Sequence, residues 1–314
     1  MSTAPNQVDL RTRIDDFFRA SFATDNALIT EAIRRMLAAG GKRLRPRLTL
    51  LAAQAVGADV EAHLELAAYI ELIHVATLIH DDVVDQADQR RGVNATAVDF
   101  GNRISVLAGD YLFAWIFKNV TSAYPAPIPH ILSATLADIC DGEVLQLRSL
   151  DNITLDIMGY REIITKKTAS LFVAAARCGA IMGGGNPEEI AALTRFAELF
   201  GMAFQMYDDL LDFVGNQTEL GKPVGHDIWE HKVTLPVIYA LSDPEIATKE
   251  ALLAYYAGDA SAREQAIKNV LDGSALAESR ALVRATLGEA VEALQPLDPA
   301  QRQPFIDLVE SLER

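Results

Sequence analysis

Two short acidic runs carry the clearest chemistry in the sequence, Asp81-Asp82-Val83-Val84-Asp85 and Asp208-Asp209-Leu210-Leu211-Asp212. On a helix, residues four apart share a face, so Asp81 pairs with Asp85 and Asp208 with Asp212. Like charges at that spacing repel, and burial strengthens the repulsion, so neither pair gains anything by itself. Hard divalent cations reverse the sign, because Mg2+ takes carboxylate oxygens together with waters and phosphate oxygens. One such run in an acidic protein is as readily a solvated helix end. Two of them, each closing an apolar helix, point to metal.

Cationic residues come in compact groups that complement the acidic ones. Gly40-Gly41-Lys42-Arg43-Leu44-Arg45-Pro46-Arg47 puts four cations beside a flexible backbone, and Arg90-Arg91-Gly92 follows the first acidic run. Lys166-Lys167-Thr168, Gly221-Lys222 and Lys232 add further positive charge. Guanidinium groups suit bidentate phosphate contacts. Each group alone reads as solvated surface; beside paired carboxylates, they fit a metal-bridged diphosphate, which needs both signs at close quarters.

The elements that must hold these residues are helical. Strand signals are nearly absent, and Ala/Leu-rich segments with helical periodicity fill most of the 314 residues. Leu66 to Val84 and Ile190 to Phe213 are apolar nearly all round, which suits the middle of a bundle, and each ends in an acidic run. Their phases place His74, Leu78, Asp81 and Asp85 on one stripe, and Gly201, Gln205, Asp208 and Asp212 on another. Helix stops fall at Gly40-Gly41, Val56-Gly57, Tyr124-Pro125 and Gly183-Gly184-Gly185-Asn186-Pro187, where Glu188 and Glu189 make a favourable first turn. No Ser/Gly-rich or Pro-rich linker divides the chain, so residues 1–314 are expected to form a single all-α domain.

Composition excludes other classes. A net charge of −15 argues against a generic nucleic-acid binder, which needs a basic face. Two cysteines, Cys140 and Cys178, are too few for a disulfide framework, and Met1 to Asp25 has no apolar signal-peptide core, so a cytoplasmic protein is expected. The longest stretch free of Asp, Glu, Lys and Arg, Asn119 to Ala137, is interrupted by Pro125, Pro127 and Pro129, so no stable membrane insertion is expected.

Taken together, the motifs resemble the trans-isoprenyl diphosphate synthases (polyprenyl synthetase family), and among them the long-chain, octaprenyl- or solanesyl-type synthases. The matching residues run from Gly40 to about Leu241: Gly-Gly-Lys-x-x-Arg-Pro, Leu78-Ile79-His80 into the first DDxxD with Arg90-Arg91-Gly92, Gly109-Asp110, Gly142-Glu143-x-x-Gln146, Lys167-Thr168, Gln205 before the second DDxxD, and Gly221-Lys222. The resemblance implies an orthogonal helical bundle of isoprenoid synthase type around a central cavity, a homodimer, and a trinuclear Mg2+ cluster. Its substrates would be isopentenyl diphosphate and an allylic diphosphate. It further implies that Asp81 and Asp85 hold metal on the allylic diphosphate with Asp82 in support, and that Asp208 holds the remaining ion with Asp209 and Asp212 nearby. Arg90, Lys167, Lys222 and Lys232 would contact the allylic diphosphate; Lys42, Arg45, His74 and Arg91 would bind isopentenyl diphosphate; Thr168 and Gln205 would line the space where the allylic cation forms. One departure is Glu230-His231-Lys232, where the family commonly has Gly before the lysine.

The implied reaction is ionisation, condensation and elimination, with no Ser, Cys or His nucleophile. The lost proton passes to the released diphosphate. Product length should depend on what blocks the space beneath Asp81. Short-chain members carry aromatic residues at the fourth or fifth position before this aspartate, where this chain has the small Thr77 and Ala76; a long product is expected, with a farnesyl- or geranylgeranyl-length product as the alternative. Phe113, Trp115, Ile116 and Phe117 are candidates for a deeper floor. A class I terpene cyclase would typically replace the second DDxxD, and a regulatory subunit of a heteromeric synthase would have lost one or both acidic runs. A plain helical interaction protein has no use for either.

Overall fold

A computed structural model describes residues 7–22, 24–90, 92–215, 224–244 and 246–313. In chain order its helices are α1 (Gln7–Ser21), α2 (Ala27–Ala38), α3 (Leu44–Ala55), α4 (Leu64–Val84), α5 (Thr96–Phe100), α6 (Asn102–Ala123), α7 (Pro127–Arg148), α8 (Ile157–Ile164), α9 (Ser170–Met182) and α10 (Pro187–Val214). They continue as α11 (His226–Trp229), α12 (Leu235–Ser242), α13 (Thr248–Tyr256), α14 (Ala262–Asp272), α15 (Ala275–Ala293) and α16 (Pro299–Glu313). The fold is all-α, as the periodicity predicts. Among the described residues, strand is confined to a two-residue antiparallel pairing, β1 (Gln89–Arg90) with β2 (Val93–Asn94), which the sequence pattern does not announce.

The chain divides into two compact units. The first comprises Met1–Ala134, Ala174–Thr194 and Pro296–Pro304, and its centre is α4. Leu66, Ile70, Leu72, Ile73, Ala76 and Ile79 are all fully buried, and α4 packs against α2, α3 and α6. Burying each such Leu or Ile contributes about 1.5–3 kcal/mol, which is why a helix with so little polar face is stable here. By length and hydropathy the segment Val60–Val84 would pass as a membrane span, yet 78% of its most apolar 18-residue window is buried inside the protein as a core helix. Trp115 of α6 joins Phe17 (6.4 Å between ring centroids), Phe22 (5.3 Å) and Tyr69 (5.7 Å) in an aromatic cluster. The turn expected before α10 is a capping box: Asn186 Oδ1 accepts from the amides of Glu188 (2.9 Å) and Glu189 (3.0 Å), and Glu189 reaches back to the Asn186 amide (2.8 Å).

The second unit comprises Thr135–Val173, Arg195–Gln295 and Phe305–Arg314. An aromatic stack fixes α10 here: Phe196 lies flat on Phe200 (5.6 Å, 12°) and edge-on to Phe305 (5.1 Å), and Phe200 meets Phe172 (5.7 Å). Helices α8 and α9 are joined through a π-helical turn, Thr165–Ala169, which carries Lys167 and Thr168. Such a bulge inserts one residue into an otherwise continuous helix and commonly sits at a functional site.

Candidate active site

Both acidic runs lie at helix C-termini, α4 ending at Val84 and α10 at Val214. The backbone carbonyls there make the end of a helix partially negative, so carboxylates are disfavoured and a bound cation is favoured. Asp82 is fully buried, whereas Asp81 and Asp85 are half-buried on the accessible side; in α10, Asp209 is buried and Asp208 exposed. After Asp85 the chain turns at Gln86, whose φ of +52° ends α4.

Within the first unit, the buried Asp82 grips Arg90: Nε and a terminal guanidinium nitrogen both donate to Asp82 Oδ1, at 2.7 and 2.6 Å. Burial outweighs the guanidinium and holds the Asp82 carboxyl above its usual range. The β1–β2 hairpin delivers Arg90 to this position. Arg91 lies outside the described residues. In α4, His80 meets the Val106 carbonyl oxygen at 3.0 Å, and a Cβ on Gly109 would run into the His80 ring. The Gly109-Asp110 motif is therefore explained by packing room for His80.

The Gly40–Arg47 segment, a loop to Arg43 and then the start of α3, differs from the sequence expectation in one respect. Of its four cations, Arg43 is 2% exposed and spends its guanidinium on the equally buried Glu71 (2.6 Å) and the Leu37 carbonyl oxygen (2.9 Å). It anchors the loop to α4, three residues before His74. Lys42 stays exposed and Arg45 half-buried beside it, while His74 is half-buried on α4. Ala76 is fully buried; Thr77 is half-buried, its hydroxyl bonded to the His74 carbonyl oxygen at 2.8 Å.

The second unit assembles more of the expected residues. Thr168 Oγ1 donates to Gln205 Oε1 (2.8 Å), Gln205 Nε2 donates to Asp209 Oδ1 (2.8 Å), and the Tyr160 hydroxyl donates to Asp209 Oδ2 (2.5 Å). Burial pushes Asp209 up to about 7 despite these two donors, with Asp208 and Asp212 adding to the shift. Lys167 is clamped by Gln146 and Glu143, three residues apart on one face of α7. Gly142 makes the clamp possible, since its Cβ would lie 2.8 Å from the Lys167 Cα. Across the same π turn, Gly201 of α10 lets the Ala169 backbone approach, where a Cβ would again meet a Cα at 2.8 Å. Two glycines thus seat the turn that presents Lys167 and Thr168.

Lys232 donates to Glu230 (2.9 Å), and its amide bonds the Asp227 carbonyl oxygen (2.8 Å). The Asp227 amide in turn donates to the Asp212 carboxylate (3.1 Å). Sequence reasoning missed Asp227. One of its carboxylate oxygens is buried without a hydrogen-bond partner among the described residues, and burial with Asp209 and Asp212 nearby drives its carboxyl well above the usual range. Its only signal was its place after Gly225-His226. Tyr160 gave none. Lys222 lies outside the described residues. Among those residues, no three His, Cys, Asp or Glu side chains converge into a ready-made metal cage.

The sequence profile of the polyprenyl synthetase family matches residues 26–273. The chain is 43% identical over 218 residues to an octaprenyl diphosphate synthase of Escherichia coli, covering 69% of this chain and 68% of that protein. It is 42% identical over 229 residues to a short chain isoprenyl diphosphate synthase of Methanothermobacter thermautotrophicus, covering 72% and 70%. A polyprenyl synthase from Caulobacter crescentus, solved with calcium and isoprenyl diphosphate, superposes with a TM-score of 0.89 at 34% identity, over 100% of this chain and 99% of that one.

Proposed function

The chain belongs to the polyprenyl synthetase family and is a trans-prenyltransferase, and from that premise we propose that it is a long-chain polyprenyl diphosphate synthase using Mg2+. The observation that carries the metal reading is the pair of acidic runs at helix C-termini, where burial and the neighbouring Asp208 and Asp212 hold the Asp209 carboxyl above the usual carboxylate range. The donor set fits a hard cation that shares its coordination with water and substrate phosphates, so two carboxylates per run suffice without a protein cage. Asp81 and Asp85 would hold ions on the allylic diphosphate, and Asp208 and Asp212 the remaining one. That the Caulobacter crescentus relative was solved with calcium and isoprenyl diphosphate supports the use of a divalent ion. When bound, the ions supply charge stabilisation to the departing diphosphate.

The chain's own residues do the rest. Arg90, Lys167, Lys222 and Lys232 place fixed positive charge where the diphosphate leaves. Asp82 and the Glu143/Gln146 pair are bound to Arg90 and Lys167 before substrate arrives, which limits their rotamers in advance. Thr168 and Gln205 line the space where the allylic cation develops. Lys42, Arg45, His74 and Arg91 hold isopentenyl diphosphate, whose double bond supplies the electron pair for the new carbon–carbon bond; a proton then leaves as the next double bond forms. Ala76 and Thr77 leave room below Asp81 for repeated additions. The octaprenyl synthase likeness supports the long product. The continuous family match over residues 26–273 supports one functional domain, and we extend the proposal to a cytoplasmic homodimer.

The test is metal dependence. Protein stripped with a chelator should lose condensation activity and regain it with Mg2+. Asp81→Ala or Asp208→Ala should lower kcat/KM by about a thousandfold or more, with the helical circular dichroism unchanged. Activity surviving either the stripping or the substitutions would overturn the assignment.

A further inference from the structure

Lys232 sits in a turn whose preceding residue, His231, has φ of +64°, a left-handed conformation that costs a non-glycine residue about 1–2 kcal/mol. The side chain of His231 makes a polar contact and two ring contacts. Its Nδ1 lies 2.5 Å from Asp151 Oδ1, so the ring N–H donates to the carboxylate. The ring stacks on Tyr256 (4.9 Å, 23°) and packs at 5.2 Å from Tyr255. The backbone joins the same partner: the Asp151 amide donates to the His231 carbonyl oxygen at 3.0 Å. Asp151 is itself left-handed, with φ of +59°, and lies in the turn just after α7. Two strained residues are thus bonded to each other through side chain and backbone.

The place of Asp151 is informative. Helix α7 holds Lys167 through Glu143 and Gln146, and the turn that leaves its C-terminal end holds the turn carrying Lys232. We propose that His231 and Asp151 are positioning residues that fix Lys232 to the same helix end as Lys167, so that both ammonium groups meet one diphosphate in a fixed relation. This rests on the reading of Lys167 and Lys232 as allylic diphosphate ligands.

Steady-state kinetics with farnesyl diphosphate as the varied substrate test it. His231→Gly keeps the left-handed turn without the ring, and Asp151→Ala removes the acceptor. Each should raise KM for farnesyl diphosphate about three- to tenfold, leaving KM for isopentenyl diphosphate unchanged. Asp151→Asn, whose amide oxygen still accepts the imidazole N–H, should restore values near the parent. In a Lys232→Ala background, Asp151→Ala should add nothing further. Unchanged KM in His231→Gly and Asp151→Ala, or effects that multiply independently with Lys232→Ala, would overturn the inference alone. A Lys232→Ala protein with unaltered KM for farnesyl diphosphate would overturn the ligand reading and the inference with it.

Discussion

Asp82 and Arg90 form a partly buried pair in which two guanidinium nitrogens converge on a single carboxylate oxygen, at 2.6 and 2.7 Å. The three aspartates of the first acidic run therefore divide their work. Asp81 and Asp85 stand on the accessible side of α4, and the fully buried Asp82 orients an arginine. Asp82→Asn keeps the shape but weakens the pair. We expect kcat/KM for the allylic substrate to fall about 10- to 100-fold, with Mg2+ affinity measured by calorimetry nearly unchanged. Asp81→Asn should lose the metal affinity.

The raised carboxyl of Asp209 has a stability consequence whose sign is opposite to that of a salt-bridged aspartate. Unfolded, it loses its proton near the ordinary value of 3.8; folded, it keeps the proton up to about 7. Stability of the metal-free protein should thus decline as pH rises from about 4 to about 7 and level off above that. Asp209→Asn removes the penalty. Its Tm, without metal, should match the parent at pH 4 and exceed it by several degrees at pH 8, as read by differential scanning calorimetry.

Much of this was legible in the sequence, for identifiable reasons. The apolar helices α4 and α10 and the carboxylate pairs follow from helical periodicity, which is a local property, and the start of α10 with Glu188 and Glu189 in its first turn follows from residue type. What stayed hidden depends on approach between distant segments. Nothing around Tyr160 signals that its hydroxyl ends on Asp209, and Arg43 is indistinguishable from its cationic neighbours until its burial against Glu71 is seen. The glycines of Gly109-Asp110 and Gly142-Glu143-x-x-Gln146 stand out as motif residues, but only the packing of His80 and Lys167 explains them.

Gly142 offers a direct test of that close approach. In Gly142→Ala, the new Cβ would press on the Lys167 backbone, and the π turn must shift. We expect a loss of about 2–3 kcal/mol in stability by urea denaturation, accompanied by a raised KM for the allylic diphosphate. Gly288, exposed within α15 with open space around it, is the control. Gly288→Ala should stabilise the protein by about 0.5–1 kcal/mol and leave the kinetics alone.

Product length should respond to Thr77, which is half-buried one turn before Asp81, more than to bulk added elsewhere on α4. Thr77→Phe is expected to shift the product distribution to shorter chains while the rate of the first condensation stays within about threefold. An unaltered distribution would place the floor of the growing chain elsewhere.

The most direct measurement is product analysis by mass spectrometry, with labelled isopentenyl diphosphate, farnesyl diphosphate as primer, and Mg2+. The account predicts a ladder of labelled polyprenyl diphosphates, each one isoprene unit longer than the last, ending well beyond geranylgeranyl length. A product that stops at farnesyl or geranylgeranyl length would contradict the long-chain reading. A cyclised hydrocarbon, or no labelled product from metal-replete protein, would contradict the chain-elongating chemistry itself.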